Sequence, residues 1–246
     1  SLLSLCDGHL PWRVLMVGDP KQISPICPET DGIPIGHDKA VGYSFDCTDT
    51  GLNKENGIRN YAESLFERLI RKGWKTHQLR HVRRTGCQNL VDLHSELFYD
   101  GELEACGNAG HDGAGTVQWY DVPRKEQDAK RSNAHAERTR QIVEEIRKNH
   151  PGESIAVIVP YNAQRANIAR ELASPRIDGI EVKTIDSFQG READHVIFNN
   201  PSNSNSLRNS MRLKKVGGTL VDSKLNVALS RARKGFYFVG DFGELC

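Results

Sequence analysis

The run Ser154 to Pro160, SIAVIVP, is apolar from Ile155 to Val159 without a break. An unbroken aliphatic stretch leaves no residue for a solvated face, so it reads as a strand covered on both sides, and such strands belong to parallel sheets. Helical spacing follows at once, from Ala163 to Ser174, across a short polar turn. Strand, turn and helix form the repeating unit of an α/β sheet, and the turn residues then stand at a sheet edge where ligands bind. The expected class is therefore α/β, a mostly parallel sheet with helices on both faces.

The rest of the chain supplies more of the same unit. Asp222 to Asp241, DSKLNVALSRARKGFYFVGD, begins with Leu225, Ala228, Leu229 and Ala232 at helical spacing and ends in an aromatic and aliphatic strand. Asp222 or Ser223 caps that helix, and Gly235 after Lys234 reads as its stop. On a helix Arg231 and Arg233 point in opposite directions. Glu181 to Ile185 alternates as a strand, Asp186 to Glu192 turns, and His195 to Phe198 resumes a strand. Arg13 to Val17, RVLMV, reads as a further buried strand closed by Gly18-Asp19-Pro20. Thr116 to Val122 alternates as a strand. Tyr61 to Lys72 and Ala134 to Asn149 read as amphipathic helices, the first stopped by Gly73 and the second by His150-Pro151-Gly152. Residues 26–59 have little periodicity and read as a surface insertion, either a tolerated loop or an elaboration of a binding face. Asn199 to Gly218 reads as a polar loop whose Arg208, Arg212, Lys214 and Lys215 either meet a phosphate backbone or form a solvated basic surface.

Charge and cysteine usage exclude several classes. A formal net charge of +1 rules out a polybasic nucleic-acid coat, so any such binding must come from a local groove. No apolar run approaches a membrane span, and Ser1 to Arg13 has no secretory pattern. The scattered cysteines contain no CxxC pair, and Asp31, His37 and Asp38 match no metal spacing, so no metal site is expected. The cysteines fit free thiols in a reducing compartment, which implies an intracellular protein of the nucleus or cytoplasm.

Four ordered stretches resemble superfamily 1 helicases. VGDPKQISP at 17–25 is similar to motif III, Leu79 to Leu90 to the segment opening the second motor domain, TIDSFQGREADHVIF at 184–198 to motif V, and NVALSRARKGFYFVGD to motif VI. ESLFERL at 63–69 and ELFYDGEL at 96–103 resemble the branch containing senataxin and the nonsense-mediated-decay helicase. The resemblance implies RecA-like P-loop NTPase motor domains, with residues 1–75 the tail of the first and 76–246 the second.

It also implies roles, residue by residue. Arg231 becomes the arginine finger, and Arg84 the second phosphate-contacting arginine, with Arg83 in reserve because the family's Gln and Tyr before it are absent. Gln22 becomes the polar sensor of the γ-phosphate, and Asp19 lies near metal and phosphate. Tyr161 and Gly190 face the nucleotide, Glu192 either accepts from the nucleotide's ribose or orders the arginines, and Ser187, Gln189, Gln164 and Arg165 face the nucleic acid. For Tyr161, Gln164 and Arg165, simple helix capping stays open as the alternative.

The implied function is an ATP-dependent helicase that moves 5′ to 3′ on single-stranded RNA or DNA, with ATP and Mg2+ as cofactors. No GxxxxGK[ST] loop and no acidic metal motif occurs, and no initiator Met opens the chain, so a C-terminal fragment is expected, inactive without the upstream half of the first motor domain. The rival readings are a non-catalytic nucleic-acid-binding or scaffold module and a different RecA-like ATPase.

Overall fold

The computed structural model describes residues 15–23, 65–106, 112–123, 130–188, 190–202, 213–216 and 219–245. These form two compact units, one holding 15–20 and 65–77, the other 21–23 and 78–245.

In the first unit α1 (Leu65–Arg71) ends where Gly73, at φ 82, donates to the Ile70 carbonyl and Trp74 donates to that of Leu69. Only a glycine enters that left-handed turn without strain. Residues 15–17 depart from the expected buried strand: they take no strand conformation, and Leu15 and Val17 are 91% and 82% exposed. A buried strand needs neighbours on both sides, and none of the described residues pairs with this segment.

The second unit opens with short strands β1 (His81–Val82) and β2 (Gly86–Cys87), then α2 (Gln88–Phe98). The strands β3 (Glu104–Ala105) and β4 (Asp112–Gly113) pair in parallel with β1 and β2 respectively. Next come β5 (Thr116–Asp121), α3 (Asn133–Asn149), β6 (Ile155–Val159), α4 (Asn162–Glu171), β7 (Ile180–Thr184), α5 (Ile185–Phe188) and β8 (Ala193–Asn199). The chain continues through β9 (Leu213–Val216), β10 (Thr219–Asp222), α6 (Ser223–Leu229), β11 (Ala232–Gly240) and α7 (Phe242–Leu245).

The main sheet has the order β5-β11-β8-β6-β7, and every pairing in it is parallel. Side chains alternate between two cores. Ala156, Ile158, Val196, Phe198, Phe236 and Phe238 pack with α2, α5 and α6. Ile155, Val157, Val159, Ile197, Tyr237 and Val239 pack with α3 and α4 on the other face. The architecture is thus α/β with helices on both faces.

Two further segments depart from the pattern their sequence predicts. The helix expected to run to Lys234 stops at Leu229, and β11 begins at Ala232, because Ala232 already pairs with Ala193 of β8, three residues before β5 joins at Gly235. Gly235 consequently lies inside the strand beside a register shift. A Cβ there would stand 2.5 Å from His195 Nδ1, so glycine is required for close approach. Within the expected loop of 199–218, Leu213–Val216 forms β9, paired antiparallel with β10. The insertion at 26–59, with Asp31, His37 and Asp38, lies outside the described residues, as do Arg208 and Arg212.

Candidate functional site

Because the strands of the main sheet are parallel, all begin at one rim and end at the other. The expected site residues divide between these two rims.

At the N-terminal rim three arginines meet one carboxylate. Arg231 sits in the turn between α6 and β11, where its carbonyl accepts from the Ala193 amide at 3.1 Å and so ties the turn to β8. Glu192 immediately precedes β8. It accepts from Arg84 Nε at 2.8 Å and from an Arg233 amino group. Arg84 also donates to the Ser230 carbonyl, and Thr85 donates to the Arg233 carbonyl at 2.6 Å. These bonds hold the carboxyl of Glu192 below its ordinary pKa, first through Arg233 and then through Arg84. The structure thus sets Arg84 against Glu192, with Arg83 exposed to solvent.

Arg231 is the unusual member. It is buried, 7% exposed, and its Nε has no hydrogen-bond partner among the described residues, while one amino group reaches Gln22 Oε1 at 3.5 Å. Burial lowers its pKa and repulsion from Arg84 adds to this, against the pull of Glu192. A buried guanidinium lacking one partner and facing a second guanidinium is a costly arrangement that an incoming anion relieves. The cationic groups outnumber the carboxylate, and their planar forks suit phosphoryl oxygens.

Gln22 belongs to the same unit as Arg231. Its segment is held by Asn226, whose amide donates to the Lys21 carbonyl at 3.0 Å, and by Lys21, whose ammonium donates to the Phe98 carbonyl and pairs with Asp100 at 3.4 Å. The Lys21 ammonium also lies 5.1 Å from the centroid of the Tyr99 ring. Neither Lys21 nor Asn226 stood out in the sequence; the FYDG turn that receives Lys21 was the available signal. Gly190, at φ 84, forms the exposed turn before Glu192, with open space where a Cβ would lie. Asp19 belongs to the first unit.

The C-terminal rim holds another set. Tyr161 is the N-cap residue of α4, with its hydroxyl 3.5 Å from Ser202 Oγ. It stands at the opposite rim from Arg231, and the structure does not bring the two together. Arg165 is exposed and bonds Asn162 Oδ1 at 3.2 Å. Ser187 is exposed and donates to the Thr184 carbonyl at 2.9 Å. Gln164 is wholly buried: it accepts from Ser132 N at 2.8 Å and donates to Ser132 O and to Asn199 Oδ1, each at 3.1 Å. Its carboxamide is consumed in joining α3, α4 and β8, so Gln164 positions the rim and offers nothing to a ligand. Gln189 lies outside the described residues.

No helix among the described residues is long and apolar enough to cross a membrane. A family model described as "AAA domain" matches residues 61–242. The NFX1-type zinc finger-containing protein 1 homolog of Caenorhabditis elegans is 30% identical over 93% of this chain, which covers 9% of that protein. Helicase sen1 of Schizosaccharomyces pombe is 24% identical over 95% of the chain, and the chain covers 13% of it. The regulator of nonsense transcripts 1 homolog of Neurospora crassa is 26% identical over 95%, with 21% of it covered. The chain thus spans about a fifth or less of the length of these curated relatives. Taken with the parallel sheet and the arginine-bearing rim, these matches show that the chain belongs to the AAA-domain family of superfamily 1 helicases, in the branch that holds Sen1 and the regulator of nonsense transcripts.

Proposed function

We propose that this chain is the arginine-bearing second motor domain, with part of the first, of an ATP-dependent helicase that moves along single-stranded RNA or DNA. The single observation that carries the reading is Arg231, buried at the N-terminal rim with an unpartnered Nε beside Arg84 and Gln22. Bound ATP supplies the phosphoanhydride whose hydrolysis drives the two motor domains apart.

Arg231 donates to the oxygens of the phosphoryl group in transit, Arg84 adds a second positive charge, and Gln22 orients the γ-phosphate or the attacking water. Glu192 fixes Arg84 and Arg233 so that little reorganisation is needed as charge develops. With its carboxylate held by two arginines, Glu192 orders those arginines and is a poor Mg2+ ligand. At the other rim Arg165, Tyr161 and Ser187 present exposed or half-exposed polar groups to the strand. The two sets stand at opposite rims of one rigid sheet, which lets nucleotide state and strand contact be coupled by movement of the whole domain.

The test is Arg231→Ala in the longer parent protein, with strand-stimulated ATP hydrolysis as the assay. Loss of such an arginine lowers turnover by roughly 10³ to 10⁵. Single-strand affinity without nucleotide is expected to stay unchanged. Turnover within about tenfold of the unmutated protein overturns the assignment, and absence of turnover in the unmutated parent points to the non-catalytic binding module.

A further inference from the structure

The N-terminal rim carries a second polar cluster that the ATPase reading does not use. His195, on β8, is 1% exposed. Its Nε2 lies 2.6 Å from Glu153 Oε2, and its Nδ1 lies 3.3 Å from the Tyr237 hydroxyl on β11. Glu153 stands just before β6, with its other oxygen accepting from Lys234 Nζ at 2.7 Å. His150, at the C-cap of α3, points Nδ1 at the same Glu153 Oε2 from 3.8 Å. The three donor atoms all lie within 4.8 Å of one another.

We propose that His150, Glu153 and His195 form a binding site for a divalent first-row transition cation, with Zn2+ the best match. An ion about 2.0–2.2 Å from each donor of a tetrahedral set holds the donors about 3.3–3.6 Å apart. The observed donor spacings bracket that range, so a shift below about 1 Å seats the ion between His195 and Glu153. In the metal-free protein the Nε2 proton of His195 bridges to Glu153. On binding, the Nε2 lone pair goes to the metal and the ring's proton shifts to Nδ1, which stays protonated and donates a hydrogen bond to the Tyr237 hydroxyl oxygen. The imidazole stays neutral throughout, so the charges balance.

The surroundings are those of a built site. Tyr237 orients the buried imidazole from behind, and Lys234 holds Glu153 by Oε1, leaving Oε2 to ligate. His195 and Tyr237 sit on adjacent paired strands, and Glu153 directly precedes a third. His150 is 43% exposed, which gives the ion an entry path and an open fourth position for water. Two imidazoles with one carboxylate favour Zn2+, Co2+ and Ni2+ over Mg2+, so this site does not compete for the metal of a nucleotide.

The test uses metal-depleted chain titrated with Co2+ in excess Mg2+, followed by visible d–d absorption, with Zn2+ as competitor. The expected result is one equivalent of Co2+ without a thiolate charge-transfer band, displaced by Zn2+. His150→Ala and Glu153→Gln, each with an unchanged circular dichroism spectrum, should weaken binding by at least about tenfold. Three results overturn the proposal: no stoichiometric binding, a spectrum with thiolate ligation, or unaltered affinity in folded His150→Ala protein. None of them bears on the role of Arg231.

Discussion

Asp222→Asn tests whether the start of α6 carries a buried charge at a cost. The Asp222 carboxyl accepts from the Lys224 and Leu225 amides at 2.9 and 3.0 Å. Burial nonetheless raises its pKa from 3.8 to about 6, against the opposing pull of those amides. At ~1.36 kcal/mol per pH unit, that difference corresponds to about 3 kcal/mol. The sign follows from linkage: with the folded pKa raised, the contribution is fully present below the unfolded value of 3.8 and is lost as pH rises through about 6. Wild-type protein therefore loses stability relative to Asp222→Asn as pH rises, by about 1.3 kcal/mol between about pH 5 and about pH 7. Asparagine keeps the capping oxygen, so the helix start is preserved. Urea unfolding of both proteins at matched pH isolates this group, because other titrations cancel in the difference. A difference that does not vary with pH, or wild type gaining as pH rises, refutes the reasoning.

Three further outcomes are expected. Gly235→Ala places a methyl against the buried His195 and Tyr237 side chains and should cost about 1–3 kcal/mol; a loss under about 0.5 kcal/mol in denaturant unfolding would show that β11 yields easily. Gln164→Ala takes the side-chain partner from the Ser132 amide and from Asn199 Oδ1, for about 1–3 kcal/mol by the same assay; an unchanged midpoint would count against its structural role. Arg165→Ala should leave stability unaltered and lower the salt dependence of single-strand affinity in the parent by roughly 0.7 in log-log slope; an unchanged slope removes Arg165 from the strand contacts.

The sheet was legible where burial alone decides conformation. SIAVIVP could only be a covered strand, and Ile155–Val159 is buried throughout. The sequence overextends the helix before β11 because periodicity in LNVALSRAR continues past Leu229, whereas the pairing of Ala232 with β8 is a long-range effect. RVLMV read as a strand for the converse reason, since composition carries no word about partners. At the site, Arg231 and Glu192 stood out through motif wording, and the structure gives them their geometry. Gln164 shows the limit: a polar side chain after a strand looks the same in sequence whether it meets a ligand or a backbone. Lys21, Asn226 and the His195 cluster depend on residues far apart in the chain, and no local pattern announces them.

The strand order has a consequence for the timing of synthesis. β11 lies between β5 and β8, so Thr116 waits for Gly235 to be made before it gains its parallel neighbour. Until then β5 stands apart from β8, β6 and β7, with Phe198 on β8 and Trp119 on β5 both lacking the Phe238 ring that later packs against them. A ribosome that stalls before β11 therefore leaves a split sheet with bare apolar faces, a nascent chain that needs a chaperone's cover until its keystone strand arrives.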